Sequence, residues 1–150
     1  MESSQMPLGA EISAFDAAFP RFLMSTGAAG LMLLVASTVY VLLTPWKELA
    51  LVRAGNTAAG VALGGAIGGL AIPIASTLAS SMTVEGLLIW GAIALLMQLI
   101  AYRLVDLLLR DIPGRLANDE MGAAVLLAAT KLSAAIILAA GLWDPVLQRI

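Results

Sequence analysis

Four runs of this chain are long and almost free of charge. They cover residues 22–46, 54–84, 86–102 (extending toward 109) and 121–143, and the last is broken only by Lys131. A helix needs about 20 apolar residues to cross the hydrocarbon core of a bilayer, and each run approaches that length. Lipid offers backbone groups no hydrogen bonds, so such runs become helices. A buried soluble bundle is the competing fold, but these segments lack the polar faces it needs. The reading is an all-α integral membrane protein with four transmembrane helices.

Composition narrows the chemistry. The chain is 61% hydrophobic and 12% charged, about half the charge of an ordinary soluble domain. It has no His and no Cys, which removes the commonest metal ligands, thiol chemistry and disulfides. No acidic loop has the spacing of a hard-cation site. The net charge of −2 gives nucleic acid no electrostatic footprint. No nucleophile–base pair or phosphate-binding loop is visible, so neither an enzyme nor a cofactor is expected. The opening "MESSQMPLGAE" lacks the basic start and early apolar core of a cleaved signal, so both ends are expected to be retained.

Positive charge predicts direction. Lys47 and Arg53 lie between the first two spans, and Arg103, Arg110 and Arg115 lie at the end of the third span and after it. The opposite side carries only Arg21 and Arg149. This imbalance puts both links in the cytoplasm and both termini in the periplasm of an inner membrane. Trp46 then falls at the inner boundary, and Trp90 and Trp143 at the outer one. Before the first span, Leu8, Ile12, Phe15 and Phe19 share one helical face. That predicts a short interfacial helix over residues 1–20, stopped by Pro20, or else a frayed terminus.

A shift of 64 residues aligns the second span with the fourth. Ala59 meets Ala123, Val61 meets Val125 and Leu63 meets Leu127. The match is short and rich in small residues, so chance is the alternative to a duplication. As a duplication, it makes residues 21–80 and 81–150 two helical hairpins in parallel, unlike the inverted repeats of many transporters. Gly60, Gly64 and Gly68 form a small-residue stripe with Gly65 and Gly69 beside them, and Ala124 and Ala128 form another in the fourth span. Such stripes let helices approach closely, within the chain or between copies. Pro73 predicts a kink and frees the carbonyl of Gly69.

Several of these segments resemble a known family. "TPWKELALVRAGNTAAGVALGGAIGGLAIPIAS", "LLIWGAIALLMQLIAY" and "NDEMGAAVLLAATKLSAAI" are similar to the bacterial membrane family called domain of unknown function 350, the YjfL-like proteins. The most specific matches are Thr44, Pro45, Gly55, Asn56, Ala58, Ala59, Ala71, Ile72, Pro73, Trp90 and Gln98. The resemblance implies a small inner-membrane protein with paired spans and no known activity. It points to envelope stress and membrane maintenance. Lys131 stands where the family would have a small or apolar residue.

Lys131 poses the sharpest question. It lies roughly 16–20 Å along the helix from Glu120 and Asp144, too far for its stem to reach water. A charge there costs at least about 2.5–3.5 kcal/mol. Ala124, Ala128, Ala135 and Ala139 share its face, so it belongs to a close-packing stripe. Gln98 sits equally far from the Pro113-Gly114 turn, which predicts that its carbonyl oxygen meets Lys131 directly or through water. Asp106 and Glu85 are at the wrong depth, so Lys131 is expected either to be neutral or to meet a carboxylate from another subunit or another protein. Lys131 is then a structural anchor, part of an ion or proton path, or a docking charge. Arg103, Asp106 and Arg110 read as a solvated ion-pair ladder at the inner boundary. Asn118 reads as a cap for the fourth span, and Asn56 as a cap or inter-helix bond at the second. The functional expectation is a scaffold or interaction subunit that self-associates or joins other membrane proteins. The alternative is a small oligomeric channel or transporter lined by Gln98 and Lys131.

Overall fold

A computed structural model describes residues 8–44, 47–80 and 83–143. It contains six helices: α1 Leu8–Leu43, α2 Glu48–Arg53, α3 Thr57–Ala79, α4 Val84–Leu109, α5 Ile112–Ala117 and α6 Met121–Gly141. Among the described residues there are no strands. Four helices (α1, α3, α4 and α6) are long and apolar enough to cross a membrane. Pro45, Trp46, Asp144 and Arg149 lie outside the described residues.

α3 and α6 form the most extensive helix pair. α4 packs on both, and α1 lies across α3 and α4. The two short helices sit at one end of the bundle. There, Asn56 Nδ2 donates to the Leu116 carbonyl at 2.7 Å, and the Ala58 N–H donates to Asp119 Oδ1 at 2.7 Å. Each link therefore anchors the first turn of α3. Tyr102, Val105, Ile112, Leu116, Ala124 and Leu127 close the core at this end. Ala36, Tyr40, Ala66, Leu70 and Ala94 fill the middle.

Local chemistry sets the helix ends. Asn56 caps α3 by accepting from the Ala59 N–H at 2.6 Å, and Gly55 supplies the positive φ (88°) that turns the chain out of α2. Thr83 caps α4 by accepting from Gly86 N–H at 3.2 Å. The second link is more than the turn expected at Pro113-Gly114. Asp111 accepts from the Gly114 N–H, and Pro113 lies in the first turn, where a missing donor costs nothing, so α5 forms. α2 and α5 begin 64 residues apart (48 and 112), as do α3 and α6 (57 and 121).

Several expectations need correction. α1 does not stop at Pro20, which is exposed inside one 36-residue helix. Proline removes a single bond there, to the Asp16 carbonyl, and the surface position leaves that oxygen open to solvent. At about 1.5 Å per residue, α1 is about 54 Å long and exceeds a hydrocarbon core of about 30 Å. Every residue from 11 to 27 is exposed, including Ile12, Phe15 and Phe19, and the rings of Phe15 and Phe19 lie 5.2 Å apart.

The close approach of α3 to α6 uses Gly68 of the expected stripe together with Gly65 of the row beside it. A Cβ on Gly65 would lie 2.5 Å from the Ala128 Cβ, and one on Gly68 would lie 3.1 Å from Leu132. One on Gly60 or Gly64 would meet nothing within 4 Å. Ala124 and Ala128 are buried as a packing face. The two glycine rows differ by about 100° of helix rotation, and the contact with α6 falls between them, at Gly65 and Gly68.

The ion-pair ladder is absent too. Asp106 Oδ1 instead accepts the Ile112 N–H at 3.0 Å, tying α4 to α5. The Arg103 guanidinium lies 5.8 Å from the Tyr102 ring centroid, and Arg110 is the cap residue of α4. Among the described residues the salt bridge is Arg115 to Glu120, at 2.6 Å. Glu120, not Asn118, occupies the N-cap of α6. Asn118 ends α5 instead.

Candidate functional site

The candidate site is a buried polar cluster that joins α1, α2, α3, α4 and α6. Lys131 is the eleventh residue of α6 and is fully buried. Its ammonium donates to the Tyr40 hydroxyl, contributed by the last turns of α1. Tyr40 in turn donates to Glu48 Oε1 at 3.3 Å. Glu48 opens α2 and is also fully buried. A cation, a hydroxyl and a carboxylate thus form one hydrogen-bonded line inside the chain.

This overturns the expectation of an external carboxylate. Glu48 is the only carboxylate between Asp16 and Glu85, and hydropathy places it in a polar link beside Lys47. Folding of α2 against α3 carries it inward. The tyrosine spans the gap that the lysine stem cannot cover alone. A signal was available: Tyr40 is the sole tyrosine before position 102, and Glu48 follows it by eight residues.

Burial pushes the Glu48 carboxyl above the ordinary carboxylate range, while the Lys131 ammonium and the Tyr40 hydrogen bond pull it back down. The group therefore favours folding most when protonated. That contribution is present below the ordinary range and is lost as pH rises through the raised value. Glu48 Oε2 has no hydrogen-bond partner among the described residues.

Gln98 meets Lys131, but not as expected. Its Nε2 donates to the Lys131 backbone carbonyl at 3.3 Å and to the Gly69 carbonyl at 3.1 Å. Its own Oε1, buried, has no partner among the described residues. The ammonium turns toward Tyr40 because a carboxylate lies beyond it and a neutral amide cannot balance charge. The Gly69 carbonyl is the one that Pro73 deprives of its helical donor. Gln98 therefore replaces the missing N–H, and α3 continues through Pro73 to Ala79.

Gln98→Leu should strand the Gly69 carbonyl, while that of Lys131 keeps its helical donor within α6, and lower stability by about 1–3 kcal/mol. Pro73→Ala restores an N–H for Gly69 and should recover part of that loss. Thermal unfolding in detergent of the two single variants and the double variant checks this. Equal losses in Gln98→Leu with and without Pro73→Ala would contradict it.

Known proteins now give this architecture a place. The family model described as Domain of Unknown Function (DUF350) matches residues 14–142. This chain belongs to the DUF350 family. It is similar to the UPF0719 inner membrane protein YjfL of Escherichia coli (strain K12), at 28% identity over 109 residues, covering 73% of this chain and 83% of the relative. The protein of the same name from Escherichia coli O157:H7 matches equally. No solved structure matches the chain. This DUF350 protein has four helices long and apolar enough to cross a membrane, and its buried line of Lys131, Tyr40 and Glu48 has the chemistry of an internal anchor or of a proton-handling group.

Proposed function

We propose that this protein is a non-enzymatic interaction or scaffold subunit of an inner-membrane assembly, with a place in envelope maintenance or stress. The observation that carries this reading is the division of its small and polar groups. The charges at the membrane interior are answered within the chain by Tyr40 and Glu48. Gly60 and Gly64 are left facing open space on α3. A stripe unused within the chain suits close approach by another membrane helix.

The common 64-residue offset of α2–α3 and α5–α6 supports reading the two hairpins as parallel copies of one unit. The cation count favours α2 and α5 on the cytoplasmic side, with both termini periplasmic. Gly64→Leu should weaken association while leaving the unfolding midpoint within a few degrees. Mild-detergent copurification and sedimentation check this, and an unchanged assembly would count against the reading.

A channel or transporter is the second reading. The unpartnered oxygens of Glu48 and Gln98 favour it, because a proton or water passing the cluster would use them. Protein in liposomes would then give a proton or ion flux that Lys131→Met abolishes. A scaffold gives none.

A further inference from the structure

α2 divides its residues between two environments. Glu48 points into the bundle, while Lys47, Leu49, Ala50 and Arg53 line an open groove against the end of α1. Val41, Leu42 and Thr44 form the other wall, and the groove holds about 550 Å³. Leu42 and Leu49 are exposed there. Lys47 and Arg53 are exposed as well, and neither makes an ion pair with a described residue, unlike Arg115. The groove begins where the first apolar span ends, at Leu43. Its apolar wall thus continues the membrane-facing surface of α1, and its two free cations stand at the polar limit of that surface.

We propose that this groove binds an anionic phospholipid, with its phosphate between Lys47 and Arg53 and an acyl chain along Val41, Leu42 and Leu49. Charge complementarity selects the headgroup. Two cations about 9 Å apart along a helix accommodate one phosphate or a pair of them, and a zwitterionic headgroup brings a cation of its own. The apolar wall selects a lipid over a free phosphate. The site is independent of the scaffold reading, which rests on Gly60 and Gly64 on a different helix.

Native mass spectrometry of the full chain tests this by titration with phosphatidylglycerol or phosphatidylcholine of matched acyl chains. Phosphatidylglycerol should bind preferentially. Lys47→Ala and Arg53→Ala should each weaken it about fivefold, and the two together about thirtyfold. Arg103→Ala, outside the groove, should stay within twofold. The wild-type preference between the two lipids stands as a readout even if a variant fails to fold. Equal binding of the two lipids would overturn the proposal. So would an equal loss in Arg103→Ala, which signals general surface charge, or binding of glycerol phosphate as tight as that of the lipid.

Discussion

Lys131→Met should lower the stability of the bundle by about 3–5 kcal/mol, because it leaves the buried Glu48 without its cation. The loss should depend on pH. Lys131 is one of the influences that hold the Glu48 carboxyl down, so its removal raises that group further. Protonated Glu48 is tolerated in the interior and ionised Glu48 is not. The variant should therefore unfold at its highest temperature in acid, below the ordinary carboxylate range. It should lose stability as pH rises toward neutrality. Adding Glu48→Gln should recover most of the loss and flatten the pH profile, since the amide keeps a hydrogen bond to Tyr40 and carries no charge. Unfolding midpoints in detergent across a pH series measure both effects. A pH-independent loss that Glu48→Gln does not relieve would mean that the lysine acts through packing alone.

Gly65→Leu should be the most damaging substitution on α3. Even the first atom of its side chain would fall 2.5 Å from the Ala128 Cβ and 2.6 Å from the Ala128 Cα. Those atoms belong to a packed helix and cannot swing aside, so α3 and α6 must separate. Overpacking of this kind costs about 1–3 kcal/mol, with more expected where backbone must move. Separation would also draw Gln98 away from one of its two carbonyls, on α3 and α6. The neighbouring Gly64→Leu points into open space and should leave the unfolding midpoint nearly unchanged. The contrast between adjacent positions is the informative result. Equal loss at both would mean that the close contact of Gly65 with Ala128 is not the cause, since leucine is a better helix former than glycine at either position.

Much of this architecture was legible in the residues. Charge-free length identified the four spans, since nothing but a helix satisfies its backbone in lipid. The alanines around Lys131 placed it on a packed face, and Pro73 announced that the Gly69 carbonyl would need a donor. The equal distances of Gln98 and Lys131 from Pro113-Gly114 set the two at one level. What escaped was the pairing. Hydropathy treats a glutamate beside Lys47 as solvated, and only the folding of α2 against α3 takes Glu48 inward. The roles at Gln98 were therefore exchanged: its N–H groups serve backbone carbonyls, and its oxygen does not serve the ammonium.

The face that α3 turns to α6 was legible only in part. Gly60, Gly64 and Gly68 share spacing with the row holding Gly65 and Gly69, and periodicity cannot tell that α6 meets Gly65 and Gly68 while Gly60 and Gly64 face open space. The choice belongs to the packing of the whole bundle. Pro20 illustrates the same limit: the residue usually ends a helix, yet at an exposed site one lost bond is too small a penalty to break α1.

Lys131 is answered by Glu48 of its own chain, through Tyr40. A charge exchange tests it most directly. Glu48→Lys alone and Lys131→Glu alone should each give little folded protein. The two substitutions in one chain should restore folding, because the pair is rebuilt with its charges reversed. Coexpression of one chain carrying Glu48→Lys with another carrying Lys131→Glu should restore nothing. Recovery in the coexpressed mixture would show that the carboxylate comes from a neighbouring subunit, and failure of the doubly substituted chain would show that the two residues are not paired at all.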